Sequence, residues 1–193
     1  MSPLFRHLPN LISAARIAAA PALAGLALAG NQRLFTWILV PALVSDILDG
    51  YLARRFDLTS RLGAVLDSIG DVLLFFVAMF GVATFYPGVL HAHALAGELL
   101  VGCWVLEILV ALLRYRRLSS FHTYASKAAA YLLGISVGVL FLGGLPLPLL
   151  YAAVAASVAA NLEELALIWL LPVWRSDVRG LYWVWRERRR TAP

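Results

Sequence analysis

The sequence predicts an all-α polytopic membrane protein, a bundle of six transmembrane helices with both termini in the cytoplasm. Three observations lead there. The chain is 62% hydrophobic and only 14% charged, too few charges to cover a soluble domain of 193 residues. Apolar stretches near the ~20 residues needed to cross a bilayer recur along its whole length, divided by turn-forming clusters at Gly30-Asn31-Gln32, Pro87-Gly88 and Gly143-Gly144-Leu145-Pro146. Lys and Arg collect at alternate ends of these stretches.

The expected spans are 8–29, 34–53, 62–85, 95–113, 125–142 and 149–171. The first imitates a cleavable secretory signal, with Arg6 before an apolar run and Ala27-Leu28-Ala29 at its end. Arg16, well inside the segment, argues against cleavage, and the Ala-rich run with Pro21 and Gly25 reads as a helix that neighbours approach closely. With six spans, the inner side collects Arg6, Arg54, Arg55, Arg61, Arg114, Arg116, Arg117 and the six arginines from Arg175 to Arg190, with Arg16 and Lys127 near it; the outer side receives Arg33. This is the positive-inside signature, and it places the protein in a membrane such as the bacterial cytoplasmic membrane, facing its chemistry to the cytosol. The chain reads as one domain, 1–193, with a basic tail from about residue 172 whose Trp174, Tyr182, Trp183 and Trp185 alternate with arginines and suit an anionic bilayer surface. No nucleic-acid motif accompanies the net charge of +5, so nucleic acid is not an expected partner. Cys103, inside an apolar run, excludes a disulfide within the chain and reads as a small buried hydrophobe.

The chemistry concentrates between residues 46 and 71. Asp46, Asp49, Gly50, Ala53, Arg54, Gly63, Asp67 and Asp71 follow the pattern D-x2-D-G-x2-A-R-x8-G-x3-D-x3-D. Asp46 and Asp49 are spaced i, i+3 and Asp67 and Asp71 i, i+4, so each pair shares a helix face. At ~1.5 Å per helical residue the two pairs lie roughly 7–15 Å from the loop joining the second and third spans, and antiparallel packing brings all four together in the cytosolic half of the bilayer. Four carboxylates at that depth need compensation. Oxygen ligands of this kind suit Mg2+, Mn2+ or Ca2+, and two such ions would bridge a pyrophosphate and stabilise an in-line displacement. Gly50 and Ala53 leave room for a bulky ligand on the aspartate face, Gly63 precedes Asp67 by one turn, and Arg54 offers a planar donor fork for phosphate. The bland alternative is that acidic pairs line an ion pathway and small residues merely let helices pack.

The segment DILDGYLARRFDLTSRLGAVLDSIGD resembles the signature of the CDP-alcohol phosphotransferases at every defining position, and Pro9-Asn10-Leu11-Ile12-Ser13 with Arg16 resembles that family's first-helix pattern. The resemblance covers nearly the whole chain. It implies that an alcohol attacks the β-phosphorus of a CDP-linked lipid, usually CDP-diacylglycerol, and that CMP leaves. It further implies Asp46, Asp49, Asp67 and Asp71 as ligands of two divalent cations, Mg2+ or Mn2+; Asp71 also as the general base; Gly50, Ala53, Arg54, Gly63, Asn10 and Arg16 around the CDP group; and a homodimer. From the residues alone, Asn10 and Ser13 equally suit capping of the first helix, and Arg16 suits snorkelling to the interface.

Between the fourth and fifth spans, Arg114-Tyr-Arg-Arg117 and Ser119 to Lys127 form a basic region suited to a phosphorylated acceptor such as glycerol 3-phosphate, with Arg114, His122 and Lys127 as candidate contacts. Its alternative is ordinary positive-inside charge. Asp71-Val72 departs from the Asp-Lys of many glycerophosphate-using members, and Leu66-Asp67-Ser68 resembles serine-using ones without their usual continuation, so serine and inositol phosphate stay as acceptors. A transporter or ion-binding protein and a membrane prenyltransferase are the rivals outside the family. Glu98, Glu107, Glu163 and Glu164 are expected to pair with arginines across helices or to secure a dimer. A cysteine introduced at Ser60 should react with a membrane-impermeant reagent only from the cytosolic side; labelling from outside would overturn the orientation.

Overall fold

The computed structural model describes residues 3–55, 61–116, 121, 123–144, 147–173 and 178–191, with side chains described for 10–45, 63, 65–67, 69–116, 121, 123–144, 147–173 and 178–189. Among the described residues all regular structure is helical: α1 (Pro3–Leu28), α2 (Gln32–Arg55), α3 (Arg61–Phe85), α4 (Pro87–Ala92), α5 (Ala94–Tyr115), α6 (Tyr124–Phe141), α7 (Leu147–Leu170) and α8 (Leu181–Thr191). Among the described residues five helices are long and apolar enough to cross a membrane, and residues 32–45 of α2 add a further apolar stretch. All six expected spans fall on helices. The reason is general: in hydrocarbon every backbone N–H and C=O needs an internal partner, and a helix supplies it within one segment. Pro41 lacks a backbone N–H, yet α2 runs through it.

Two differences are local. The Pro87-Gly88 turn is the start of the short helix α4, where Pro87 occupies the first position and its missing N–H costs nothing. And α1 begins at Pro3, so Asn10 and Ser13 lie in the helix interior. The capping reading for both is therefore wrong, because a cap flanks the helix and neither residue does.

The chain forms two compact units, Met1–Ala92 with Val137–Gly144, and His93–Ser136 with Leu145–Pro193. In the first, α1 packs on both α2 and α3 among the described residues. Ala20, Leu23 and Ala27 turn one face of α1 into its core, joined by Phe35 and Leu39 of α2 and Leu74, Val77, Ala78 and Val82 of α3. The close approach expected of the alanine-rich run is made by Ala20 and Ala27, not by Gly25, which has open space beside it. Phe35 is fully buried, with the Phe85 and Phe141 rings 5.3 and 5.0 Å away. At the same end, Gln32 Nε2 donates to the Tyr86 hydroxyl at 2.7 Å, which donates in turn to the Leu140 carbonyl at 3.2 Å. Both polar side chains thus find partners in apolar surroundings, where an unmet group is costly.

In the second unit α5 packs on α7, and α8 packs back on α7. Ala111, Phe121, Leu167, Ile168, Leu171, Val178 and Val184 form its core. The end of α7 is closed by side chains. The Tyr115 hydroxyl lies 2.9 Å from the Ile168 carbonyl and 2.7 Å from that of Leu171, Arg114 reaches the Trp169 carbonyl at 3.4 Å, and Arg188 donates to the Leu170 carbonyl. These are the carbonyls a helix leaves without internal partners, and the two cations also sit favourably at the negative end of the helix dipole. Thr123 caps α6, its Oγ1 accepting from the Ser126 amide at 3.1 Å.

One position tests the first core. A methyl group at Gly81 would fall 2.3 Å from Phe35 Cζ, against a ring already enclosed by two others. Gly81→Ala should lower stability by about 1–3 kcal/mol through overpacking, read as a depressed Tm in detergent. Pairing it with Phe35→Leu should recover part of the loss.

Candidate active site

The α3 aspartates are held from α1. Arg16 Nη1 donates to Asp71 Oδ1 at 2.6 Å and Nη2 to Asp67 Oδ1 at 2.7 Å. The guanidinium is 2% exposed, whereas the two aspartates are 45% and 47% exposed. One planar fork therefore draws two carboxylates, one helical turn apart, toward the same point. The pair geometry is possible because α1 and α3 approach closely at Gly70. A methyl there would lie 3.6 Å from the Ser13 carbonyl oxygen and 3.7 Å from Arg16 Cβ, so the turn carrying Asp67 and Asp71 lies directly against the turn carrying Arg16.

This arrangement overturns snorkelling for Arg16, since a snorkelling head group would reach for the interface rather than be buried between carboxylates. Sequence reasoning linked Arg16 to phosphate and missed its carboxylate partners. The signal was present: an arginine inside an apolar helix requires anionic partners, and the acidic i, i+4 pair bracketing Gly70 offers a twin-headed one.

Asp46, Asp49, Gly50, Ala53 and Arg54 all belong to α2, but their side chains lie outside the described residues. His122 lies outside them altogether. Gly63 sits in the first turn of α3, one turn before Asp67. Asn10 lies on α1, partly buried, two turns before Ile17 and on the N-terminal side of Arg16. Among the described residues no three acidic, His or Cys side chains converge; the two that do, Asp67 and Asp71, are half of the expected four. Their donor chemistry fits a hard divalent cation. Both supply carboxylate oxygen, both are open on one side, and both are drawn together by the same guanidinium.

The expected acceptor region has a more structural character. Arg114 caps α7 through the Trp169 carbonyl and stacks over the Trp169 ring, 5.6 Å from its centroid. Arg116 closes α5 in the left-handed conformation, φ 54°, its amide donating to Leu112. Lys127 is exposed in the first turn of α6. Arg114 and Lys127 belong to the second unit, the Arg16 cluster to the first. Of the glutamates, Glu163 departs from the arginine pairing expected of it. Glu163 Oε1 accepts from the Leu181 amide at 2.8 Å rather than from an arginine, Glu98 is exposed, and Glu107 and Glu164 are buried.

A helical membrane bundle with paired carboxylates clamped by a buried arginine defines a class of membrane-embedded, acid-based site. The chain belongs to the CDP-alcohol phosphatidyltransferase family, whose model matches residues 6–171. It is similar to a CDP-diacylglycerol–glycerol-3-phosphate 3-phosphatidyltransferase of Cereibacter sphaeroides, 29% identical over 150 residues, which is 72% of this chain and 67% of that protein. A Rickettsia typhi protein of the same name is 35% identical over 72 residues, 36% of this chain and 40% of the relative. The cardiolipin synthase (CMP-forming)/mitochondrial hydrolase fusion protein of Schizosaccharomyces pombe is 39% identical over 67 residues, 35% of this chain and 11% of its own length. The chain thus spans between about a tenth and two-thirds of these relatives. No solved structure matches it.

The geometry carries an asymmetry that mutation can expose. Arg16→Met removes the buried charge and leaves two carboxylates on the open side, at a cost of about 1–2 kcal/mol. Asp67→Asn with Asp71→Asn removes two anionic partners from a buried guanidinium and should cost more, toward the roughly 3–5 kcal/mol of a broken buried pair. Thermal denaturation of both variants in the same detergent should give the larger Tm loss for the double aspartate change.

Proposed function

We propose that this chain is a divalent-metal-dependent phosphatidyltransferase that moves the phosphatidyl group of CDP-diacylglycerol to an alcohol, with glycerol 3-phosphate as the acceptor. The observation that carries the reading is the convergence of Asp67 and Asp71 on one buried guanidinium, inside the full spaced-aspartate motif. Family membership and the names of the relatives support the reaction class, and glycerol 3-phosphate is the acceptor in two of the relatives' names. Serine or inositol phosphate is the alternative within the family.

In this reading Asp46, Asp49, Asp67 and Asp71 would hold two Mg2+ or Mn2+ ions. When bound, the ions supply charge neutralisation for the pyrophosphate and orient it for in-line displacement. The chain's own residues do the rest. Arg16 holds the α3 carboxylates at one point, which spares the reorganisation a loose pair would undergo on binding. Gly50, Ala53 and Gly63 leave space at the aspartate face for cytidine and pyrophosphate, and Arg54 offers its fork to phosphate oxygen. Asp71 accepts the proton of the acceptor hydroxyl as that oxygen forms a bond to the β-phosphorus. The phosphorus–oxygen bond to CMP breaks, and the electron pair leaves with CMP. Lys127, exposed at the start of α6, and His122 are the remaining acceptor candidates of the basic region, because Arg114 is engaged with α7. The working form in this reading is a homodimer in a bacterial cytoplasmic membrane, with the site toward the cytosol. The support is the family resemblance, the positive-inside pattern and the bacterial relatives.

CMP release from CDP-diacylglycerol should stop on thorough chelation and return with Mg2+ or Mn2+; undiminished turnover would sink the metal requirement. The aspartates should separate by role. Asp49→Ala should abolish metal-supported CDP binding in calorimetry, since it removes a ligand without replacement. Asp71→Asn keeps the shape and one oxygen but cannot take a proton, so it should lower turnover by about 10²–10⁴-fold with a smaller effect on CDP affinity. Near-normal turnover of Asp71→Asn would refute the base assignment.

A further inference from the structure

The C-terminal helix α8 is docked to the protein along one narrow face. Leu181, Val184 and Arg188 recur at i, i+3 and i+7. Leu181 packs against the second core and Val184 is 4% exposed within it, while Arg188 donates to the Leu170 carbonyl at the end of α7. The entry to the helix is fixed as well. Gly180 adopts φ +147°, a conformation open to glycine, and Glu163 Oε1 takes the Leu181 amide at 2.8 Å. A side chain at Gly180 would press on that same oxygen, 2.9 Å away. The helix is therefore pinned beside the last two turns of α7, from Glu163 to Leu170, in a segment long and apolar enough to span a membrane.

The rest of α8 has a composition unlike its docked face. At ~100° per residue, the arc from Trp185 round to Trp183 takes in Arg189, Tyr182 and Arg186, and Glu187 falls outside it. Tyr182, Trp183 and Trp185 are 58%, 40% and 46% exposed. The Arg189 guanidinium lies 3.5 Å above the Trp185 ring, a cation–π pair that presents charge and apolar surface together. Along the helix the aromatics occupy its first half and Arg186 and Arg189 its second. Trp and Tyr settle at the headgroup level, and arginines near an anionic leaflet gain roughly 1 kcal/mol each.

We infer that α8 is a docking surface for an anionic lipid headgroup layer, with Tyr182, Trp183 and Trp185 seated at headgroup depth and Arg186 and Arg189 engaging the lipid phosphates. The inference is independent of the reaction proposed above. It commits to a bilayer rather than a soluble partner because the arc pairs positive charge with interfacial aromatics at the very end of a candidate span. It also explains why α8 is pinned rather than left as a tail: a fixed helix presents its arc without losing the ordering entropy a free segment would.

The test uses the full chain carrying Cys103→Ala and Thr191→Cys, labelled with an environment-sensitive fluorophore and reconstituted in phosphatidylcholine vesicles, or in vesicles with about one-third phosphatidylglycerol. Quenching by lipids spin-labelled near the headgroup reports contact between the end of α8 and the bilayer. Quenching should rise with the anionic lipid and fall as salt screens it. It should not fall on adding soluble glycerol phosphate, as it would if the arc bound free phosphate. Arg186→Gln with Arg189→Gln leaves Leu181, Val184 and Arg188 in place and should cut the anionic-lipid preference at least tenfold, since each arginine is worth roughly fivefold. Trp185→Ala should weaken contact in both vesicle types, and helix content and Tm in neutral lipid should match the parent for both variants. Salt dependence of the unsubstituted arc provides the reading if either variant unfolds. Equal quenching in neutral and anionic vesicles, or no quenching in either, would overturn the inference.

Discussion

Placing ionised groups inside an apolar helical bundle is the constraint around which the described part of this protein is arranged. A buried guanidinium loses several kcal/mol of hydration unless its hydrogen bonds are returned, and Arg16 recovers two of them from Asp67 and Asp71 on a different helix. That requirement fixes which helices must be neighbours. α1 has to lie against α3 at the level of Gly70, with the Ser13–Arg16 turn facing the Asp67–Asp71 turn. The alanine-rich face of α1 extends the same contact toward the opposite end of the helix, through Ala20, Leu23 and Ala27. Chemistry at one end and packing at the other therefore depend on a single helix–helix approach.

The arrangement also bears on reactivity. The arginine is buried and the carboxylates are half open, so the positive charge is structural while the negative charges face outward. Such a pair is oriented without being sealed. A carboxylate held through one oxygen by a rigid fork keeps a defined direction, which is what a metal ligand or a general base needs. Were the burial reversed, with open arginine and enclosed aspartates, the site would favour anions at the expense of cations. The observed sense leaves carboxylate oxygens, not the guanidinium, on the open side.

Much of the remaining polar chemistry closes helix ends. Four consecutive carbonyls from Ile168 to Leu171 are met by Tyr115, Arg114 and Arg188, and the Gln32–Tyr86–Leu140 chain performs a similar service in the first unit. Away from bulk water these groups have few other partners. This is why an arginine that looks like a ligand in a basic sequence, Arg114, is engaged with a helix terminus. A polar residue near the end of a span answers first to the nearest orphan carbonyl or amide, and Glu163 follows the same rule at the start of α8.

The sequence by itself determined the helices, because hydrocarbon admits few other backbone solutions and apolar length is read directly. It also determined the family and the identity of the acidic motif, since the spacing of Asp46, Asp49, Asp67 and Asp71 is written in the chain. What it could not determine was which charges meet. Arg16 and Asp71 are 55 residues apart in sequence, and no local periodicity encodes the approach of α1 to α3. Nor did it reveal that α1 begins early enough to place Asn10 and Ser13 inside the helix, or that Arg114 and Glu163 serve backbone groups. Those pairings are decided by which helix faces touch, and only the tertiary packing, at distances of a few ångströms, selects one partner from several of suitable charge.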